Sequence, residues 1–301
     1  MVLNKKGMFF TLIAIALLSL FLLSYSIYSL TADRQSVNKR IDTMNTFVFS
    51  LDKDLPRQIY ISGFRFIFLA EKKIIEEGSY ISNTNELFNE AFYNGTLESA
   101  PQSIMNGARF SDISDSLKQK AGKINLDAEI SPISLEMKQE SPWSITVTLK
   151  AEIIITDRAN LSRWNQTAEI KTEIPVENFE DPLYVIGTNG KITNKLVRAN
   201  YSFASTSDLL LHVQNSRYIA SASAPSFIDR LEGRNEASIN GIESLVYLPE
   251  LSAQGIQVFQ KSNVDYIYFS GNNLVSNNVQ GMPAWFRLDD AHLGIYDAVP
   301  M

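Results

Sequence analysis

The sequence predicts an α+β protein in which one N-terminal transmembrane helix continues into an amphipathic helix and carries a folded ectodomain. An uncharged apolar run occupies residues 8–30, a helical apolar repeat follows at 37–55, and apolar and polar residues alternate between 143 and 176. Helical and strand periods therefore occupy different parts of the chain, which is the pattern of α+β proteins. We expect the ectodomain to contain an antiparallel β-meander with flanking helices.

The transmembrane helix is predicted over residues 8–30, MFFTLIAIALLSLFLLSYSIYSL, which contain no charge, proline or glycine. At ~1.5 Å per residue this run spans roughly 34 Å, enough for a hydrocarbon core of about 30 Å. A cleaved secretory signal is the alternative, but its apolar region is about 7 to 15 residues long and ends at small residues of the A-x-A type. The run is longer and Ser29–Ala32 lacks that form, so we expect an uncleaved anchor.

The tail at residues 1–7 is short and carries Lys5 and Lys6, so we expect it to stay cytoplasmic. Arg34, Lys39 and Arg40 follow the span and favour the opposite orientation. Long domains cross the membrane largely regardless of charge. The predicted location is therefore the cell membrane, single-pass, with an extracytoplasmic C-terminal domain.

Composition excludes several classes of site and partner. The chain contains no cysteine, which excludes disulfides, thiol nucleophiles and thiolate metal sites. Its 27 basic residues fall to 25 when Lys5 and Lys6 are set aside, against 33 acidic residues. An acidic ectodomain argues against nucleic acid or anionic lipid as its main partner. The lipid bilayer is expected as a partner through the apolar run at residues 8–30.

Residues 31–123 are predicted to be a helical stalk and helical region. Apolar residues at spacings of three and four extend the first helix: Val37, Ile41, Met44, Val48, Leu51 and Leu55. This face either packs on the protein's own head or forms a seam between subunits. Pro56 predicts a break at Leu55. Further helices are expected over residues 57–77, 84–94 (ended by Gly95) and 112–121, the last with Ser111 as N-cap.

Residues 124–180 are predicted to form the antiparallel β-meander. Apolar residues alternate with polar ones from Trp143, from Trp164 and, less regularly, from Ile124. This is the period of half-buried strands. The connections QESP and DRANLS are short and rich in turn formers.

Residues 181–301 are predicted to form a C-terminal α+β region. The Asn-Gly pair of TNGK, residues 188–191, predicts a hairpin. We expect a helix capped near Ser207, a helix over APSFIDRLEG with Pro225 in its first turn, and a strand over VDYIYFSG. The segment from Ala284 predicts a strand running into a helix capped by Asp289 or Asp290.

Candidate chemistry is sparse. His212 lies in LLLHVQ and is interpreted as a structural histidine. Asp289 and His292 are three residues apart and share a helix face, where they could bind a metal or tune a base; the alternative is helix capping by Asp289 with an exposed imidazole. Motifs for a nucleophile elbow, a phosphate loop and an EF-hand are absent. No catalytic residue, cofactor or metal site is therefore predicted.

Two further groups of residues have a functional and a structural interpretation. The late aromatic residues are expected to be core, although on a surface they would suit stacking on sugars or partners. They are Tyr266, Tyr268, Phe269, Trp285, Phe286 and Tyr296. Asn-x-Ser/Thr sequons at Asn94, Asn160, Asn165 and Asn200 are candidate glycosylation sites on the outer side.

The opening NKKGMFFTLIAIALL, with lysines, then Gly7, then an unbroken apolar helix, resembles the class III signal of archaeal type IV pilin-like proteins. The resemblance implies cleavage between Gly7 and Met8 by a peptidase on the cytoplasmic face, and packing of the apolar helix with those of other pilin-like subunits. Leu12 stands where many pilins place a glutamate. The large head implies a minor or accessory subunit.

The sequence thus leads us to expect a single-pass surface-anchored protein with a structural or adhesive role. The alternative is a monomeric membrane-tethered binding module for a glycan or solute. A surface hydrolase is the third candidate.

Overall fold

The computed structural model describes residues 5–271 and 274–301, without the side chains of residues 5–8 and 32–33. It is an α+β protein with a long N-terminal apolar helix and antiparallel sheets. The helices are α1 (Lys5–Glu77), α2 (Thr84–Asn94), α3 (Phe110–Gly122), α4 (Pro182–Gly187), α5 (Thr206–Gln214), α6 (Phe227–Leu231), α7 (Leu248–Ala253), α8 (Asp265–Tyr268) and α9 (Asp290–Leu293), with a 3-10 turn at Ser103–Met105. The strands are β1 (Thr96–Leu97), β2 (Ala100–Pro101), β3 (Leu126–Ser141), β4 (Ser144–Asp157), β5 (Arg163–Pro175), β6 (Tyr218–Ala220), β7 (Ile242–Ser244), β8 (Ser276–Asn278) and β9 (Arg287–Asp289).

The strands form four small sheets in the described chain. β3, β4 and β5 make a three-stranded sheet in which β4 lies between β3 and β5. The pairs β1–β2, β6–β7 and β8–β9 are antiparallel. β4 buries apolar residues along its length, among them Ile145, Val147, Leu149 and Ile153, which confirms the strongest strand prediction.

The described chain divides into two compact units. The smaller contains the residues up to Asp54 together with Ser114–Ser131 and Glu152–Thr167. Within it, Arg40 donates to both oxygens of the Asp157 carboxylate at 3.1 Å, and the Ser162 hydroxyl donates to the Met44 sulfur at 3.7 Å. Asp157 is buried, so the arginine offsets the cost of placing its charge away from water.

The larger unit contains Leu55–Ile113, Pro132–Ala151 and Ala168–Met301. Its C-terminal part has two clusters of buried apolar side chains. The first includes Leu183, Leu209, Val264, Phe286 and Tyr296. The second includes Tyr184, Ile192, Val246, Leu251 and Tyr268. Most helices and strands around these clusters are three to six residues long, so their stability must come from packing rather than from intrinsic propensity.

The predicted break at Pro56 is wrong, because α1 continues through it to Glu77. Leu55, Ile59 and Phe66 are all buried on α1, so the apolar helical spacing continues across the proline. Burying each such side chain contributes about 1.5–3 kcal/mol. Together they outweigh the cost of roughly 3 kcal/mol that a proline imposes inside a helix.

The predicted apolar face at 37–55 is buried in its second half. Met44, Leu51 and Leu55 are buried within the chain, whereas Ile41 keeps 37% of its surface exposed. This burial agrees with a helix that packs on its own protein over its second half.

Helix α2 ends at Gly95, as predicted, but the start of α3 was predicted wrongly. Ser111 lies inside α3, which begins at Phe110. The Asp112 carboxylate accepts hydrogen bonds from the backbone amides of Gly107 and Arg109, at 2.9 and 3.2 Å. A carboxylate inside the first turn thus binds amides that precede the helix, and Ser111 does not act as the N-cap.

The hairpin predicted at residues 188–191 is also wrong. Asn189 and Gly190 do adopt positive φ values of 51° and 72°, as an Asn-Gly turn requires. However, the turn follows the end of α4, and the Gly190 amide donates to the carbonyl of Val185. The Asn-Gly pair therefore ends a helix instead of joining two strands.

The strand predicted over VDYIYFSG is a short helix, α8, in which all four residues are buried. Burial on every side removes the alternation that distinguishes a strand from a helix in sequence. Other C-terminal predictions are close: α5 is capped by Ser205, two residues before the expected position, α6 follows Pro225, and β9 runs into α9 at Asp289.

Gly241 is placed where a side chain has no room, and this generates a stability prediction. A Cβ atom at this position would overlap the carbonyl oxygens of Ser221 and Ala224. Gly241→Ala must therefore move backbone and weaken the 2.9 Å bond from the Ser221 amide to the Gly241 carbonyl. We expect the free energy of unfolding to fall by about 3 kcal/mol, measured by thermal melting of the full chain in detergent.

The matched control is Gly294→Ala. Gly294 has φ −70° and no described atom within 4 Å of the added Cβ. The melting temperature of this variant should therefore equal that of the parent protein within error. Equal melting temperatures for the two variants would contradict the crowding at Gly241.

Candidate functional site

The most distinctive surface of the described chain is the first part of α1. Every side chain from Phe9 to Thr31 is exposed, including Phe10 at 77% and Tyr28 at 73%. Within the described residues, α1 is the one helix long and apolar enough to span a membrane. An apolar surface of this size, with no protein packed on it, is unfavourable in water, so it indicates an apolar environment or partner.

Two hydroxyl groups within this segment are satisfied by the helix itself. Ser19 donates to the carbonyl of Ile15 at 2.8 Å, and Thr31 donates to the carbonyl of Ile27 at 2.6 Å. In a hydrocarbon environment an unsatisfied hydroxyl would cost several kcal/mol, and this bonding removes that cost.

The predicted cleavage site lies at the start of α1, where Gly7 and Met8 belong to its first turns. The side chain of Met8 is outside the described part of the chain. Cleavage between the two residues stays a prediction.

The four sequon asparagines, Asn94, Asn160, Asn165 and Asn200, are all exposed. The amide of Asn165 donates to the Glu152 carboxylate at 3.1 Å within the smaller unit. Exposure is required for glycosylation but is common for asparagine, so modification at these sites stays a prediction.

The Asp289–His292 pair predicted from sequence is present, but the imidazole is buried rather than exposed. Nδ1 of His292 lies 2.7 Å from Oδ1 of Asp289. Nε2 lies 3.4 Å from the carboxylate of Glu243 and 3.2 Å from the hydroxyl of Tyr266. His292 is 2% exposed, so the interpretation as a solvated imidazole is wrong.

Glu243 was missed by sequence reasoning because it lies 49 residues before His292, on β7. It is fully buried, and its other oxygen accepts a hydrogen bond from the Tyr296 hydroxyl at 2.9 Å. Its one sequence signal is an acidic residue beside Ile242 in the short strand Ile242–Ser244. That signal does not identify its partner.

The electrostatics of this triad favour a charged histidine. Burial opposes protonation, but the hydrogen bonds and charges of Asp289 and Glu243 outweigh it and raise the pKa of His292 to about 9. Burial opposes ionisation of Asp289, but its hydrogen bonds with His292 and Ser262 and the charge of His292 lower its pKa below the usual range. Because both ring nitrogens already face protein groups, the triad forms a fixed ionic contact. The described residues contain no group of three or more His, Asp or Glu arranged to hold a metal.

His212 is also buried, but its pKa is shifted in the opposite direction. Its ring packs edge-on against Phe203 at 4.8 Å between ring centres, and its Nδ1 lies 3.3 Å from the Tyr201 hydroxyl. Burial lowers the pKa of His212 to about 4, despite the nearby charge of Glu243. The structural interpretation made from sequence agrees with these contacts.

A second buried ionic cluster surrounds Arg230 of α6. Nη1 donates to Asp181 at 2.6 Å and to Asp265 at 2.9 Å, and Nη2 donates to Asp265 and to the carbonyl of Ile242. The Ser244 hydroxyl and amide also donate to Asp265, at 2.8 and 2.9 Å. Arg230 and both aspartates have no exposed surface. Burial raises the pKa of Asp265, although Arg230 and Ser244 act in the opposite direction.

This arginine cluster was not predicted from sequence. Asp181 was recognised only as a boundary before Pro182, and its carboxylate in fact caps α4 through the Leu183 amide at 2.9 Å. Asp265 was assigned to a strand. Because the cluster has no exposed surface, a dissolved substrate cannot reach it, and its role is structural.

The late aromatic residues are core, as predicted. Tyr266, Phe286 and Tyr296 belong to one buried cluster, and Tyr268 belongs to the other. Phe269 and Trp285 are partly buried against both. They therefore do not form an open stacking platform.

Comparisons of the chain with protein-family models, with curated proteins and with solved structures give no match.

The charge on His292 generates a pH prediction. Its pKa is raised from 6.5 to about 9, so its contribution to stability is complete below pH 6.5 and is lost as the pH rises towards 9. We expect the difference in unfolding free energy between the parent protein and His292→Gln to shrink by about 3 kcal/mol across this interval. Chemical denaturation at a series of pH values measures it.

His212→Gln is the matched control, because the pKa of His212 is lowered and not raised. Its effect on unfolding free energy should change between pH 4 and 6.5 and stay level from 6.5 to 9. A His292→Gln difference that does not vary between pH 6.5 and 9 would contradict the ionic triad.

Proposed function

We propose that this chain is a single-pass, surface-anchored protein with a structural or adhesive role. Residues 8–30 cross the bilayer, the tail with Lys5 and Lys6 is cytoplasmic, and the α+β region is displayed outside. The observation that carries the proposal is the segment Phe9–Thr31, which is apolar and exposed on every side. A lipid bilayer supplies the apolar surroundings that such a helix lacks in water.

The orientation is supported by charge and by size. The short tail carries two lysines and no acid, which favours retention in the cytoplasm. The basic residues after the span precede a folded region of more than 200 residues, whose translocation depends little on flanking charge.

We further propose that the chain is a minor or accessory type IV pilin-like subunit, cut between Gly7 and Met8. The lysines, glycine and apolar run at the N-terminus support this assignment. So does the continuity of α1, because pilin-like proteins extend their membrane helix into the head region. In this arrangement Met8–Leu30 packs against the helices of other subunits, and the sheet β3–β5, as an antiparallel meander, belongs to the displayed head.

The anchor is tested by placing charge in the span. Leu17→Arg with Leu20→Arg adds about 5–7 kcal/mol to the cost of membrane insertion. We expect the double variant to appear in the supernatant after alkaline carbonate treatment of vesicles, whereas the parent protein stays in the membrane pellet.

A control places the same two charges on exposed apolar positions outside the span, Ile133→Arg with Val275→Arg, where the parent residues are 60% and 80% exposed. This variant should remain in the pellet. Release of the parent protein by carbonate, or failure of protease added to intact cells to digest the C-terminal region, would contradict the proposed anchoring or orientation.

The pilin-like assignment is tested by N-terminal sequencing of membrane-extracted protein. We expect the mature chain to begin at Met8, and we expect Gly7→Leu to block the cut and leave Met1 in place. An intact Met1 in the parent protein would leave a plain anchor and remove the pilin-like assignment. Recovery of the protein in sheared extracellular filaments would add evidence for assembly.

A further inference from the structure

The larger unit contains an open surface cavity of about 650 Å³, which lies within the size range of ligand-binding sites. Three segments line most of it. They are residues 82–85 at the beginning of α2, residues 137–140 on β3, and five residues in and beside α6; Asn240 completes the lining. Met137 and Ile228 are its apolar members, so the lining is mostly polar.

Most of the charged side chains in the lining are engaged in ion pairs. Arg234 lies 2.7 Å from the Asp229 carboxylate and 2.8 Å from that of Glu232. Lys138 is paired with Glu136 on the same strand. Charges engaged in this way attract an ionic ligand weakly, because binding it would break or crowd existing ion pairs.

One buried hydroxyl in the lining has an unused hydrogen-bonding capacity. Thr84 is 1% exposed, and its Oγ1 has no hydrogen-bond partner among the described residues. Its backbone amide, by contrast, donates to Glu232 at 2.7 Å. A buried hydroxyl without a partner costs about 1–3 kcal/mol. Thr84 lines the cavity, so a shift of its side chain towards the opening would let a ligand group bond to Oγ1 and recover this cost.

Two asparagines beside Thr84 have fixed amide groups. The side-chain oxygen of Asn83 accepts from the Glu86 amide at 3.1 Å, and that of Asn85 accepts from the Met137 amide at 2.9 Å. These bonds hold both side chains in place and reserve their NH₂ groups as donors. The carboxylate of Glu140 adds acceptors to the same lining.

We propose that this cavity binds a neutral, polyhydroxylated ligand, such as one or two sugar units of a glycan. Sugar hydroxyls both donate and accept hydrogen bonds, so they match amide donors, a free hydroxyl and a carboxylate arranged around one space. The site goes beyond the anchoring role and does not depend on it. It also lies apart from the aromatic residues that sequence reasoning considered for sugar stacking.

The test uses the full chain in detergent micelles and saturation-transfer NMR with glucose, galactose, mannose, N-acetylglucosamine, maltose and lactose. We expect at least one of these sugars to receive saturation. Thr84→Val keeps the shape of the side chain and breaks no described side-chain hydrogen bond, so the fold should be retained. Its affinity for that sugar should fall by about tenfold.

A second variant changes a donor without removing the helix cap. Asn83→Asp keeps an oxygen for the Glu86 amide but replaces the NH₂ donor, and it should weaken sugar binding at least fivefold, by roughly 1 kcal/mol. Asn106→Asp makes the same charge change at an exposed residue outside the cavity lining and should leave the affinity unchanged.

The proposal is overturned if none of the six sugars receives saturation from the parent protein, or if binding is insensitive to both Thr84→Val and Asn83→Asp. It is also overturned if glucuronate or inorganic phosphate binds and the neutral sugars do not. Because the protein is in micelles throughout, these results are independent of its orientation in a membrane.

Discussion

The buried charge of Arg230 is the constraint that organises the C-terminal part of the larger unit. A guanidinium without exposed surface must be neutralised within the protein, and here Asp181 and Asp265 do so at 2.6 and 2.9 Å. Asp181 precedes α4, Asp265 begins α8, and Arg230 also donates to the carbonyl of Ile242 on β7. Helices of four to six residues have little stability of their own. The cluster fixes where they lie, because any other packing would leave a buried charge without its partner.

The two histidines show how their partners, and not burial alone, determine charge. His212 and His292 are both at most 2% exposed. His212 packs on the rings of Phe203 and Tyr296, so its neutral form is favoured. His292 lies between the carboxylates of Asp289 and Glu243, so its charged form is favoured. Glu243, which supplies one of these carboxylates, lies 49 residues before His292 in the sequence.

The features that sequence reasoning predicted are those with local signals. The strand β4 alternates, and α2 ends at a glycine. The same reasoning failed where contacts between residues far apart in the sequence determine the local structure. The break at Pro56 was overridden by buried Leu55 and Ile59, and α8 was assigned to a strand because its four residues are all buried. The pair Asp289–His292 was found because it is local, whereas Glu243 and the partners of Arg230 have no signal that connects them. The cavity was missed for the same reason, since it joins three segments from separate parts of the chain.

Because the chain has no cysteine, its short C-terminal elements are held by non-covalent contacts such as these buried ionic clusters. Many exported domains fix short elements with disulfides, and this chain has none. Buried ion pairs often add little net stability, but a partner left unpaired costs about 3–5 kcal/mol. We infer that the clusters around Arg230 and His292 mainly disfavour alternative packings of the short C-terminal elements. The C-terminal part of the larger unit would thereby keep one conformation through non-covalent contacts alone.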